Sequence, residues 1–262
     1  MLPAKPNALV QMWFDAWCRR ALRAHFNRVH VYADPAAQAF DPAVSHLYVA
    51  NHASFWDGIV LNYWLRHRRR QRAYVMVDAR QVAEHPFFRR IGGFSVDRGN
   101  PRDGLRAVRH AADLLNATPC AVVVFPQGQI QPADARPLSF EHGVSRIIER
   151  APLARVVTVA LRYEFWLEQR AEAMLSIAAP WCPPGGAGRG DVVAHLEREV
   201  ARQLDELRNV GLRWQAGDVM LRGRRSISRW KDDFRAPPPA DSRAAAPLTP
   251  PSTPAPPARS AT

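Results

Sequence analysis

Lysine is almost missing. The 262-residue chain holds Lys5 and Lys231 and no other, so arginine supplies nearly all of its 36 basic side chains. Against 24 acidic ones they leave a formal charge of +12. A skew this one-sided reads in part as base composition of the genome, and it is discounted as a signal of function. What remains fits a negatively charged partner, either anionic lipid or nucleic acid. No nucleic-acid-binding motif accompanies the charge, so nucleic acid is set aside. Cysteine is scarce too. Cys18, Cys120 and Cys182 are odd in number and far apart, which excludes a disulfide framework and metal-ligand spacing. Each reads as a small buried hydrophobe in a reducing compartment.

Long apolar runs are also absent. No stretch of about 18 uncharged apolar residues occurs, which argues against a membrane-spanning helix and leaves peripheral contact. The opening MLPAKPNALVQMWF lacks the charged, apolar and small-residue regions of a secretory signal, so a cytoplasmic location is expected. None of the nine histidines has a second ligand at metal spacing, and no bound cofactor is expected. GGAGRG (185–190) lacks the lysine and preceding strand of a phosphate loop and reads as a turn.

What is present is strand–helix alternation. HLYVA (46–50), AYVMVD (73–78), FSVD (94–97), AVVVF (121–125), VVTVALRY (156–163) and MLSIAA (174–179) read as strands. GIVLNYWLRH (58–67), DGLRAVRHAADLLN (103–116), EHGVSRIIERA (141–151) and DVVAHLEREVARQLDELRN (191–209) read as helices, the last with Asp191 as its N-cap. The expectation is a single α/β domain with a mixed, largely buried β-sheet flanked by helices. Three regions are expected: an N-terminal amphipathic helix within 1–30, the domain proper over 31–235, and a disordered tail over 236–262. The tail is rich in proline and alanine, with almost nothing to bury.

Residues 7–27 carry Leu9, Met12, Trp13, Ala16, Trp17, Leu22 and Phe26 at helical spacing, with Arg19, Arg20 and Arg23 mostly off that stripe. Tryptophan beside arginine suits a membrane interface, and the same stripe also suits packing on the chain's own domain. The basic run HRRRQR (67–72) and the segment 221–235 fit either a lipid surface or a solvated end.

The stretch NHASFWD (51–57) directly follows the HLYVA strand. His52 therefore lies in a loop at a strand's carboxyl end, where open α/β sheets bind ligands. Asp57 opens the next helix. Folded back, its carboxylate can meet one imidazole nitrogen and leave the other to take a proton from a hydroxyl. This is a general base without a protein nucleophile; Ser54 lacks a glycine-flanked elbow. On these two residues alone, the plainer reading is a helix cap at Asp57 and a hydrogen-bonded loop histidine at His52. Phe55 and Trp56 either line a ligand channel or pack the loop to the core.

NHASFWD resembles the first motif of the lysophosphatidate acyltransferase family, Asn-His, four residues, then Asp. IGGFSVDRGN (91–100) is similar to the second motif and VVVFPQGQI (122–130) to the third, Phe-Pro-Glu-Gly. VVTVAL (156–161) stands where the fourth belongs. The resemblance implies transfer of a fatty acyl group from acyl-CoA or acyl carrier protein to a hydroxyl of a lipid at a membrane surface. It makes His52 the base and Asp57 its orienting partner. It places Arg98, Gln127 and Gly128 at the acceptor, Arg98 by its forked charge unless it pairs with Asp97 or Asp103. The chain departs from the pattern at three places. Gln127 replaces a carboxylate, Gln129 and Ile130 replace Thr-Arg, and Thr158 stands near the usual fourth-motif proline. The acceptor is accordingly lysophosphatidate, a related lysolipid, or a lipid alcohol without phosphate. An alternative is a non-catalytic lipid-binding relative, suggested by Gln127 and opposed by the intact His52 and Asp57.

Overall fold

The computed structural model describes residues 1–38 and 41–224. The tail from Ala236 and most of the segment 221–235 lie outside them. In chain order the elements are α1 (Ala8–His25), β1 (Phe26–Ala33), α2 (Pro35–Gln38), β2 (His46–Ala50), α3 (Asp57–His67), β3 (Ala73–Asp78), α4 (Ala79–Glu84) and α5 (Phe87–Ile91). Then come β4 (Gly93–Val96), α6 (Pro101–Ala117), β5 (Ala121–Val124), α7 (Gly143–Arg150), β6 (Arg155–Glu164), β7 (Ala171–Ile177), α8 (Arg189–Leu212) and β8 (Asp218–Arg222).

The strands form one mixed sheet in the order β4-β3-β5-β2-β6-β7-β1-β8. From β4 to β6 all neighbours are parallel; β6 and β7 are antiparallel, and β8 runs antiparallel on the edge of β1. The apolar runs are central because both their faces are covered. Leu47 and Val49 of β2 pack toward α6, α7 and α8, while Tyr48 and Ala50 pack toward α1 and α3. The result is three layers, helices on both faces of a sheet. The chain leaves β2 through α3 toward β3, and leaves β5 through α7 toward β6 on the other side of β2. The carboxyl ends of β2 and β5 therefore bound a crevice where the connections diverge, the usual ligand position in such sheets.

Five elements were not legible as periodic runs: β1, α2, α4, α5 and β8. β1 reads FNRVHVYA, and its buried positions include Asn27 and His30. Both meet the buried Glu172 of β7: His30 Nε2 lies 3.1 Å from Glu172 Oε2, and the Asn27 amide donates to Glu172 Oε1, while His30 Nδ1 has no hydrogen-bond partner among the described residues. A strand whose inward groups are polar but paired leaves no hydrophobic alternation to read. Because β1 runs from Phe26 to Ala33, a division at residue 30 falls inside a strand. Four details also differ. Gly188, not Asp191, is the N-cap of α8, and Asp191 lies in its first turn. α7 starts at Gly143, and Glu141 stays in the preceding loop with its N–H on the Pro126 carbonyl at 3.0 Å. Cys18 and Cys120 are buried, but Cys182 is exposed. Within 221–224, the first two residues end the edge strand β8.

α1 splits its apolar residues between two faces. Asn7 caps it, accepting from Val10 N–H at 3.1 Å. Phe14, Cys18 and Leu22, spaced i, i+4, i+8, are buried in the α3 side of the core. Leu9, Met12, Trp13 and Trp17 are exposed, as are Arg19, Arg20 and Arg23. Among the described residues no helix is long and apolar enough to cross a membrane. The run 67–72 is largely tied down: Arg68 pairs with Asp218, Arg69 lies 4.9 Å over the Trp64 ring, and Gln71 is buried.

Candidate active site

Residues 51–57 bridge the end of β2 and the start of α3, and each is held by a separate device. Asn51 is buried, and its side chain pairs with the backbone of Leu161 in β6. Its Oδ1 accepts from Leu161 N–H at 2.7 Å, and its Nδ2 donates to Leu161 carbonyl at 3.0 Å. The amide thus continues the β2–β6 ladder by one step and sets where the chain turns.

His52 follows. Its Nδ1 lies 2.8 Å from Asp57 Oδ2, and its ring stacks on Phe125 at 4.5 Å between centroids. Nε2 has no hydrogen bond among the described residues. The His52 side chain is 25% exposed, while that of Asp57 is fully buried. Imidazole reaches solvent and carboxylate does not, so any exchange of protons with a ligand passes through Nε2.

A buried carboxylate must have its lone pairs satisfied. Asp57 Oδ2 also accepts from the N–H groups of Ala53 (2.6 Å) and Ser54 (2.8 Å), and Oδ1 accepts from the Tyr163 hydroxyl at 2.7 Å. Asp57 is the first residue of α3, after an N-cap position, Trp56, that makes no side-chain cap bond. It closes the loop on itself rather than capping the helix in the ordinary way. Burial, and then the Asp57 charge, push the Tyr163 phenol well above its ordinary range, so it stays a donor. Sequence reasoning gave Tyr163 no role. The available signal was a tyrosine ending the apolar run VVTVALRY: period two places it with Leu161 on the α3 face, and a buried phenol needs a partner.

Behind His52 lies the turn after β5. Gln127 is 4% exposed. Its Oε1 accepts from the His52 N–H at 2.6 Å, and its Nε2 donates to Gln131 Oε1 at 2.9 Å. The Gln131 N–H in turn donates to the His52 carbonyl at 2.9 Å. Gln127, expected at the acceptor, is thus engaged in holding the His52 backbone.

Gly128 has φ +67, and a Cβ there would collide with the Arg98 guanidinium. Glycine is required both for the left-handed backbone and for that approach. Arg98 pairs with neither Asp97 nor Asp103. Its Nη1 donates to the Gly128 carbonyl at 2.8 Å, and Nη2 donates to Glu141 Oε1 at 2.7 Å. The fold therefore brings all five expected residues to one edge of the sheet, His52 and Asp57 in direct contact and the others around one turn. Trp56 packs inward, 5.2 Å from Phe26, whereas Phe55 is exposed. No group of three potential metal ligands occurs among the described residues. A cavity of about 620 Å³ opens at the opposite end of the sheet, between α8 and Ile177–Trp181, away from this loop.

The acyltransferase family model matches residues 29–162, from β1 through the end of β6 and across all five of these residues. The chain belongs to the acyltransferase family. No curated protein matches the sequence. Among solved structures, this acyltransferase is similar in fold to the 1-acyl-sn-glycerophosphate (LPA) acyltransferase PlsC of Thermotoga maritima. The TM-score is 0.54 at 17% identity, over 75% of this chain and 79% of that one. The ATPase DotB of Legionella pneumophila aligns over 72% of this chain and 64% of that one at 10% identity, with a TM-score of 0.36, too low to indicate a shared fold.

Proposed function

We propose that the chain transfers a fatty acyl group from a thioester, acyl-CoA or acyl carrier protein, to a hydroxyl of a membrane lipid. The carrying observation is the His52–Asp57 contact at 2.8 Å with Nε2 left open. With Nδ1–H donated to the carboxylate, Nε2 takes the acceptor's hydroxyl proton as the oxygen attacks the thioester carbon. The C–S bond breaks, and the departing thiolate takes the proton back from the imidazolium. Asp57 orients the ring and stabilises its charged form, and Tyr163 holds the second carboxylate oxygen. No metal or bound cofactor enters the scheme, since the thioester already carries the activated carbonyl.

The exposed face of α1 supports a lipid surface as the place of work. Leu9, Met12, Trp13 and Trp17 form the stripe, and the arginines beside it suit headgroup phosphates on the cytoplasmic face. A groove of about 470 Å³, lined by Trp17, Phe55 and Trp56 and by the basic Arg20, His25 and Arg224, lies between that stripe and the catalytic loop.

The test is transfer from labelled palmitoyl-CoA and palmitoyl–acyl carrier protein to a panel of lysolipids, glycolipids and total lipid extract. His52→Ala should lower the rate by on the order of a hundredfold or more, the usual scale for losing a general base. Equal rates in wild type and variant would remove His52 from the mechanism. Lipid binding without transfer would favour the non-catalytic alternative.

A further inference from the structure

The cation nearest the turn behind His52 is already occupied. Arg98 Nε (3.2 Å) and Nη2 (2.7 Å) both donate to the same oxygen, Glu141 Oε1, and Nη1 is held by the Gly128 carbonyl. Both partners belong to the turn that carries Gln127: Gly128 follows it, and the Glu141 N–H donates to the Pro126 carbonyl. From Gln127 to Gln131 the side chains carry no charge, and farther along the loop Asp134 and Arg136 are paired with Arg162 and Asp205. Gln127 and Gln131 are amides bonded to each other, and Ile130 exposes carbon. An anion arriving here meets a guanidinium whose charge a carboxylate 2.7 Å away has cancelled.

The same geometry suits a different ligand. Glu141 Oε2 has no hydrogen bond among the described residues, and the side chain is 55% exposed. The Arg98 side chain is 39% exposed. An open carboxylate oxygen beside a guanidinium whose Nη1 and Nη2 each keep a second N–H offers an acceptor and donors side by side. A polyol fits that pair: one hydroxyl donates to the carboxylate, and its neighbour accepts from the guanidinium. A phosphate monoester carries roughly −1.5 to −2 charge at neutral pH. It would have to lie against Glu141 or displace it from Arg98.

We propose that the acceptor lipid carries an uncharged polyhydroxyl headgroup, glyceryl or glycosyl, and that Glu141 selects it against a phosphate monoester. The assignment of this headgroup as acceptor rests on acyl transfer at His52. One hydroxyl reaches His52 Nε2 while a neighbouring one donates to Glu141 Oε2.

Headgroup binding is measured first, without turnover. In the ¹⁵N-labelled full chain, the Arg98 Nε–H resonance is followed while methyl glucoside or sn-glycerol 3-phosphate is added. The glucoside should saturate the shift at a concentration about tenfold lower than the phosphate does, and Glu141→Gln should reverse that order. In transfer assays with matched palmitoyl chains, kcat/KM for monoacylglycerol or an acylated glucoside should exceed that for lysophosphatidate by about tenfold or more. Glu141→Gln should narrow the ratio through KM. Glycerol phosphate binding the wild type as tightly as the glucoside, or lysophosphatidate acylated as well as the uncharged acceptors, overturns the proposal. Selective glucoside binding with no transfer to any acceptor would support the headgroup preference and sink the acyl-transfer reading instead.

Discussion

At the scale of single residues, the site is a set of saturated buried groups around one open nitrogen. Asp57 receives four donors, from His52, Ala53, Ser54 and Tyr163. Removing the phenolic donor with Tyr163→Phe leaves Oδ1 one bond short in a buried place, a loss of about 1–3 kcal/mol in stability. It also loosens the carboxylate that orients the His52 ring, so kcat should fall by about tenfold with KM little changed. A kcat equal to wild type in the folded variant would make Tyr163 structural only. Gly128 offers a second test. Alanine there meets both a positive φ and the Arg98 guanidinium, so Gly128→Ala should cost about 1–3 kcal/mol by thermal denaturation. Part of that cost should disappear in an Arg98→Ala background, since the collision is gone and only the backbone strain remains.

At the scale of elements, α1 does two jobs on two faces, and the faces can be separated by mutation. Trp13→Glu and Leu9→Glu alter exposed positions and should reduce flotation with anionic vesicles while leaving the melting temperature nearly unchanged. Phe14→Ala should leave the exposed stripe intact but cost about 3 kcal/mol or more of stability, the usual range for truncating a buried phenylalanine. Association that survives high salt would mark insertion of the tryptophan face, and release by salt alone would mark a purely electrostatic hold. The loop between β5 and α7 is the other element that matters. It is pinned to the sheet by Asp134, which pairs with Arg162 at 2.8 Å, and that bond holds the Asp134 carboxyl below its ordinary range. This is the loop that carries Gln127, Gln131 and Glu141, and it meets His52 through the Gln127 and Gln131 hydrogen bonds.

At the scale of the whole molecule, stability should depend on pH through a histidine far from catalysis. His46 opens β2 and is buried, with Gln71 Nε2 3.2 Å from its Nδ1. Burial lowers its pKa from 6.5 to about 4. The unfolded chain therefore binds the proton more readily than the folded one. The contribution is whole above pH 6.5 and is lost as the pH falls from 6.5 toward 4. It amounts to at most about 3 kcal/mol, from the size of the shift. His67 and His110, whose pKa values are also lowered by burial, act in the same direction. Urea unfolding at several pH values should show this slope, and His46→Gln should flatten it.

Much of this molecule was legible in its sequence because the signals were local. The six apolar runs became six strands, five within a residue at each end and the last, β7, starting three residues earlier and ending two earlier than its apolar run, since strands buried on both faces need no partner to be recognised. His52 and Asp57 could be paired in advance because five residues of loop at a strand end bring their side chains together. What the sequence could not decide were the partnerships made across it. β1 hid because Asn27 and His30 find Glu172 only once β7 lies alongside. That Gln127 holds the His52 backbone could be seen only once the turn after β5 came to lie behind His52. Tyr163, 106 residues from Asp57, meets it only because β6 lies beside β2. Arg98 and Glu141 are 43 residues apart and join only because the segments that follow β4 and β5 meet in the fold. The sequence by itself determined the layers and the nearness of His52 to Asp57. The tertiary structure decided which polar groups are already spent and which remain open to a substrate, because hydrogen-bond saturation depends on distant segments meeting.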